Sequence, residues 1–357
     1  MAFDWLRGDL TYVLHAYMVD PKTLRATRGE LRGVSGGKLS LDYYSDTKAS
    51  ASLETANVGD DGWDGSAAIQ LVAEVYSQDR RSEYWTSLFT GYVKKLDVTD
   101  QNGMHSKKYE LGSSLWAIEE DYLNGWGLMP KADIVNAITN LFEQVGRPLT
   151  IDKSAMDNNR LVGGRSVVYY EPGMSRLDIL YDLCERGGMQ PTVSGSGVVV
   201  VKRYVNPASR GADFDAGADR QRGNVIPPIK TSDAMIELSS GAIVTAKQDD
   251  RYVSGVAERK GNRAAADVRG YRKMEKSNSN KLEPFTAAQA TTEAAALLSR
   301  DVAEREMSHS LMFQPLDIGA IERYWQGNRS SKWLVKSADL NMGVGAWIWD
   351  LDLKGGW

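Results

Sequence analysis

"KWLVKSADLNMGVGAWIWDLDLKGGW", residues 332–357, decides how the rest of the chain is read. Four of the ten tryptophans fall in it, and Trp347, Trp349, Leu351 and Leu353 occupy every second position, with Ile348, Asp350, Asp352 and Lys354 between them. A period of two marks a strand with one apolar face and one mostly polar face. Such a strand needs a core to lie on. "SLMFQPLDIGAIERY" (310–324) precedes it, behind a helix expected over 286–306 with Thr286 as N-cap, and further β signal sits near 233–250. Together these segments predict a small barrel that the quoted strand closes. Trp347 and Trp349 are then core residues or anchors for a neighbouring chain, because a buried indole brings large apolar area but needs a partner for its N–H.

The opening of the chain is also β-rich. "KLSLDYY" (38–44) sets Leu39, Leu41 and Tyr43 on one face, and "ASASLET" (49–55) does so with Ala49, Ala51 and Leu53. "AAIQLVAEVY" (67–76) alternates Ile69, Leu71, Ala73 and Val75, and two more strands flank Asn102-Gly103, a pair suited to a hairpin turn. The texture changes near residue 125. In "PKADIVNAITNLFEQVGRP" (130–148) the apolar residues recur at helical spacing, and "SRLDILYDLCERGG" (175–188) is a second helix with Ser175 as N-cap and Gly187 or Gly188 at its end. "MQPTVSGSGVVVVKRY" (189–204) is two strands joined through glycine. Residues 205–229, rich in Gly, Asp, Arg and Pro without periodicity, read as a connection. The expected fold class is α+β and β-rich: a first β-barrel domain over 1–122, an α+β middle domain over 123–205, a linker over 206–228, and a second β-barrel domain over 229–357 with an inserted loop and helix at about 256–308.

With 357 residues the chain suffices for two or three cores, and a net charge of -4 draws it to neither nucleic acid nor an anionic membrane. The charged start "MAFDWLRGDL" does not read as a signal peptide, so none is expected, and no apolar run reaches the ~18 residues of a membrane helix. A single Cys184 cannot form an internal disulfide, so a soluble protein of a reducing compartment is expected.

Signals for chemistry are thin. His15, His105 and His309 lie in separate segments, without paired-His or CxxC spacing, so no metal site and no cofactor are expected. "GDDGWDGS" (59–66) lacks the alternate ligand spacing and closing Glu of a calcium loop and reads as a turn. Cys184, on a helix beside Leu180 and Leu183, reads as a small apolar core residue. The stretch "ERKGNRAAADVRGYRKMEKSNSNK" (258–281) holds Arg263, Arg269, Tyr271, Arg272 and Lys273 and reads as a solvated or partner-binding loop, with DNA contact as the alternative.

Three stretches look familiar together. "ELRGVSGGKLSLDYYSDTKASASLETA" (30–56) resembles the opening hairpin of tail hub proteins of long non-contractile-tailed phages, relatives of the contractile-phage baseplate hub. "SRLDILYDLCERGGMQPTVSGSGVVVV" (175–201) resembles the helix-Gly-hairpin of their middle domain, and the closing segments resemble their last barrel strands. The resemblance implies a homotrimeric hub at the tail tip of the virion, assembled in the bacterial host cytoplasm. Its two barrels per chain would make a pseudo-sixfold ring. Implied partners are a distal tail or tail-tube ring protein, the tape measure protein, and a tail fibre or receptor-binding protein, with double-stranded DNA in transit and no membrane segment. Ending at Trp357, the chain would be the bare hub, and Trp347, Trp349, Trp357, Arg263, Arg269, Tyr271, Arg272 and Lys273 are its candidate assembly residues. Catalytic residues are not expected. Two other readings stand beside it: a peptidoglycan-degrading enzyme using Glu119, Glu120 and Asp121, or a carbohydrate-binding module using Trp63, Trp85 and Trp126.

Overall fold

The protein is seen in a computed structural model that describes residues 3, 5, 9–56, 61–63, 65, 68–79, 83–101, 104–157, 167–218, 223–232, 239–248, 251–260, 265–270, 272–278, 286–300 and 305–355. Its first strands are Leu10–Val19 (β1), Ala26–Glu30 (β2), Val34–Asp42 (β3), Ala49–Ala56 (β4), Ala68–Ser77 (β5), Glu83–Gln101 (β6) and Met104–Gly112 (β7). A middle unit follows with Ser114–Glu119 (α1), Tyr122–Leu128 (β8), Ile134–Glu143 (α2), Leu149–Ile151 (β9), Lys153–Met156 (α3), Val168–Ser175 (β10), Arg176–Gly187 (α4), Met189–Val193 (β11) and Val199–Arg203 (β12). The last part comprises Phe214–Gly217 (β13), Val225–Ser232 (β14), Gly241–Gln248 (β15), Arg251–Glu258 (β16), Ala266–Arg269 (α5), Met274–Asn278 (β17), Ala287–Arg300 (α6), Arg305–Met312 (β18), Ile321–Gln326 (β19), Arg329–Asn341 (β20) and Ile348–Gly355 (β21). The fold is α+β and β-rich.

The β segments from the two ends of the chain share one sheet, whose strand order is β14-β18-β21-β20-β3-β4-β7-β6-β5-β1-β2, with β19 on β20 and β13 on β19. The joint is β20. Its second half pairs with β3 from Ser337↔Asp42 to Asn341↔Lys38, and its other edge carries β21. Alternation sets the register: Leu39, Leu41, Ala51, Leu53, Leu340, Leu351 and Leu353 all turn to one core, which the first and last strands build together. Residues 101 and 104 pair directly, as a two-residue turn requires; Asn102-Gly103 itself lies outside the described residues.

The middle unit has a core of its own, with α2 and α4 packed on the strands. Local chemistry fixes both helices. Asp133 caps α2 by accepting from Asn136 N at 2.8 Å. Ser175 caps α4 by accepting from Asp178 N at 3.1 Å, and Gly188 ends it in the left-handed region at φ 63°.

Two segments differ from the sequence-based expectation. The stretch expected as a linker carries β13 and the start of β14, which pair with β19 and β18. β13 is four residues long, too short to show a period. The β signal near 233–250 does not belong to the main sheet: β15 pairs antiparallel with β16 and parallel with β17. The buried face of β15, Ala242, Val244 and Ala246, packs on Ala290, Ala294 and Leu298 of α6. A Cβ added at Gly255 would stand 2.1 Å from the backbone nitrogen of Thr291, so only glycine lets α6 lie this close on β16. Thr286 and Gln289 form a reciprocal capping box at the start of α6. The expected helix end at 306 is corrected: Arg305 and Glu306 already pair with Gly355 and Lys354 of β21.

Candidate functional site

Trp347 and Trp349 are 2% and 1% exposed, so both belong to the core of the chain. Phe313 stands edge-on to Trp347 at 5.4 Å and parallel to Trp349 at 6.5 Å, and Tyr12 of β1 stacks on Trp347 at 5.7 Å. The indole N–H groups donate to the carbonyls of Gly343 at 3.0 Å and Gln314 at 2.9 Å. Burying 150–250 Å² each at roughly 25 cal/mol per Å² contributes about 4–6 kcal/mol per ring before entropy is counted. No surface of either ring is left for a second chain.

The remaining candidates are scattered. Arg272, exposed, pairs with Glu258 at 2.6 Å, and Lys273 is half-buried with its carbonyl accepting from Ser240 Oγ at 3.0 Å. Arg269 ends α5, while Arg263, Tyr271 and Trp357 lie outside the described residues. The three carboxylates of the enzyme reading part company. Asp121 accepts from Arg176 Nε at 2.8 Å and ties the end of α1 to the start of α4. Glu119 and Glu120 line an open depression of about 530 Å³ with Asp46, Lys94, Trp116 and Tyr122. Of the sugar-platform tryptophans, Trp63 packs edge-on to buried Tyr109, Trp126 stacks on Tyr170, and Trp85 is 46% exposed with His15 stacked on it at 4.9 Å.

The polar groups missed in the sequence are buried ones. Asp61, from the turn "GDDGWDGS", is fully buried: Oδ1 accepts from Lys107 Nζ at 2.7 Å and Trp63 N at 3.2 Å, Oδ2 from Tyr109 Oη at 2.5 Å and Thr55 Oγ1 at 3.2 Å. Burial alone would raise its pKa, but the donors from Lys107, Tyr109 and Trp63 outweigh it and hold the carboxyl below the usual range. Asp60 and Asp64 lie outside the described residues. Glu322 is the opposite case. It is also fully buried, Oε1 meets His309 Nε2 at 3.0 Å, and Oε2 has no hydrogen-bond partner among the described residues. Burial pushes its pKa up, against the pull of His309.

His15 lies between Glu30 (2.5 Å) and Glu74 (2.9 Å); burial lowers its pKa, but hydrogen bonds to the two carboxylates outweigh that and raise it. His105 meets Asp100 at 3.5 Å on the surface. The Cys184 thiol is buried and pushed well up by burial, as expected of a packing residue. Among the described residues no group of three potential ligands could hold a metal ion, and no helix is long and apolar enough to cross a membrane.

No family model and no curated relative matches the sequence. Solved structures do match its fold. The tail protein from Neisseria meningitidis is similar over 96% of both chains at a TM-score of 0.68 and 11% identity. The 43 kDa tail protein of prophage MuSo2 from Shewanella oneidensis is similar over 95% of this chain and 97% of its own, at a TM-score of 0.64 and 10% identity. The E. coli c3393 protein, a type VI secretion component with structural similarity to the T4 tail proteins gp27 and gp5, covers 91% of this chain with 76% of its own, at a TM-score of 0.51 and 8% identity. The chain thus has a phage tail hub-like fold.

Proposed function

We propose that the protein is a structural, non-enzymatic component of a phage tail tip: a hub of three copies whose paired β regions close into a pseudo-sixfold ring. One observation carries this reading. The fold agreement with the Neisseria tail protein spans 96% of each chain, and in this chain β20 binds β3 and so joins the first strands to the last. That joint gives one chain two strand sets side by side, β3–β7 with β1 and β2 on one side, β13, β14 and β18–β21 on the other. Three such chains supply six sets, which is how a trimer can meet a sixfold tube on one side and a threefold fibre on the other. In this reading the ring joins the tail tube or distal tail ring to a fibre or spike and surrounds the passage for tape measure and DNA. The domain division at 122 and 205 belongs to it, with β13 and β14 joining the stretch after 205 to the last strands. So does an assembly role for the basic stretch with Arg263, Arg269, Tyr271, Arg272 and Lys273, and for Trp357.

The test is the mass of the purified protein by light scattering, with negative-stain images of the particles. A three-copy ring is expected. A strict monomer at every concentration that is also absent from virions overturns the reading.

A further inference from the structure

Among the described residues His15 is the histidine whose two ring nitrogens both meet carboxylates. Nδ1 lies 2.5 Å from Glu30 and Nε2 lies 2.9 Å from Glu74. An ionised carboxylate only accepts, so both contacts are satisfied when the ring supplies two N–H donors, as the imidazolium does. A neutral ring has one N–H and turns a lone pair towards one of the two carboxylates. The aromatic neighbours favour the same form. Trp85 stacks on the ring at 4.9 Å, where an indole face attracts a cation, and Tyr17 stacks on it at 6.2 Å.

The three residues come from three strands of different standing. Glu74 is on β5, held between β1 and β6, and is nearly closed to solvent. Glu30 is on β2, the last strand of the sheet, which pairs with β1 alone. That ladder is thin: Glu30 stands opposite Tyr17 and Ala26 opposite Val19, with a register shift between them. Buried Leu24 and Leu31 pin the chain on either side of the strand. Between these pins Glu30 ties β2 to His15, and His15 passes the tie on to Glu74.

The other titratable groups on this face, among the described residues, are Tyr17 of β1, Tyr76 of β5 and Glu83 of β6. Glu83 accepts from Trp85 Nε1, while burial and the two carboxylates push the Tyr17 hydroxyl up, so it keeps its proton. The side chain of Arg28 on β2 lies outside the described residues.

We propose that His15, Glu30 and Glu74 form a proton-operated latch on the edge strand β2, closed while the ring carries two protons and released as rising pH removes one. The arm that lets go is Glu30. Its side chain is 44% exposed on the outermost strand, against 12% for Glu74 on an inner one, so the remaining N–H stays with Glu74 and the lone pair faces Glu30. Release of 26–30 uncovers the edge of β1 at 17–19 and leaves its backbone groups open. Burial lowers the pKa of His15, but the hydrogen bonds to Glu74 and Glu30 outweigh it and hold the value above that of an ordinary histidine. The latch therefore contributes in full below the ordinary value and is lost as the pH rises through the folded one. It lies within one chain and does not depend on assembly.

Hydrogen exchange of 26–30, corrected for the intrinsic rate at each pH, tests the latch between about pH 5.5 and about pH 8.5, and nitrogen-15 spectra of the histidine rings follow His15 itself. The chain has three histidines, so the signal lost in His15→Gln is that of His15. Both its ring nitrogens are expected to be protonated at the acid end. Protection of 26–30 should then fall through the midpoint at which the ring titrates, by about tenfold for each pH unit separating the latched and released pKa values. Glu30→Gln, on the exposed edge, should show low protection without pH dependence, and His105→Gln should keep the wild-type profile. A His15 ring that is neutral at the acid end, protection of 26–30 that does not change with pH, or a fall that persists at the same midpoint in Glu30→Gln overturns the latch.

Discussion

Among the described residues Asp61 and Glu322 are the fully buried carboxylates of the two strand sets, and the protein treats them in opposite ways. Asp61 collects a lysine, a tyrosine, a threonine and a backbone N–H, so both oxygens are spent and the ionised form is favoured. Glu322 has one histidine and, among the described residues, no partner for its second oxygen, so desolvation prevails and the proton is retained to higher pH. Both are closed to solvent, but Glu322 lies deeper and meets fewer donors, and the balance of depth against donors decides the sign of the pKa shift.

The largest effect should come from breaking the richer constellation. Asp61→Ala leaves Lys107 and Tyr109 without their acceptor, and removing one partner of a buried pair costs about 3–5 kcal/mol, read as a lower urea midpoint at unchanged slope.

The pH dependence should separate the two groups by sign. With its folded pKa lowered, Asp61 contributes stability that is present above the ordinary carboxylate range and lost as pH falls through the folded value. With its folded pKa raised, Glu322 contributes fully below the ordinary glutamate range and progressively less as pH rises through the folded value. Denaturation across pH should therefore show Asp61→Asn flattening the acid-side loss and Glu322→Gln flattening the decline above it. Slopes that change in the same direction would refute the contrast.

At neutral pH, Glu322→Gln should alter stability by no more than about 1 kcal/mol, as a gain, because the amide keeps an acceptor for His309 and sheds a buried ionisable group. The smallest effect belongs to the outer face: Asp350→Asn relieves the facing Asp339 and should add about 0.2–1 kcal/mol, read as a small rise in Tm.

The closing strand was legible because period two is a local signal, and Leu351 and Leu353 are buried as it predicts. The α2 and α4 helices were legible from local signals too, and for α4 the caps at Ser175 and Gly188 as well. β15 shows where local signals run out. Its alternation of small and branched residues fits either sheet, and only the bare backbone at Gly255, which admits α6, assigns it to the inserted unit. β13 is invisible because four residues with an Asp and a Gly carry no pattern. The buried status of Asp61 could not be read from "GDDGWDGS" either, since its donors come from β4 and β7 and from Trp63.

The sequence by itself determined the strand faces, both ends of α4 and the β, α/β, β order, all of which depend on neighbours a few residues apart. The tertiary structure decided which strands share a sheet, whether a tryptophan is core or surface, and which carboxylate is paired. These depend on groups that meet only after the chain has closed. Trp347 shows the division: its alternation with Trp349 is written in seven residues, but its place in the core is set by Tyr12 and Phe313, brought to it by the fold.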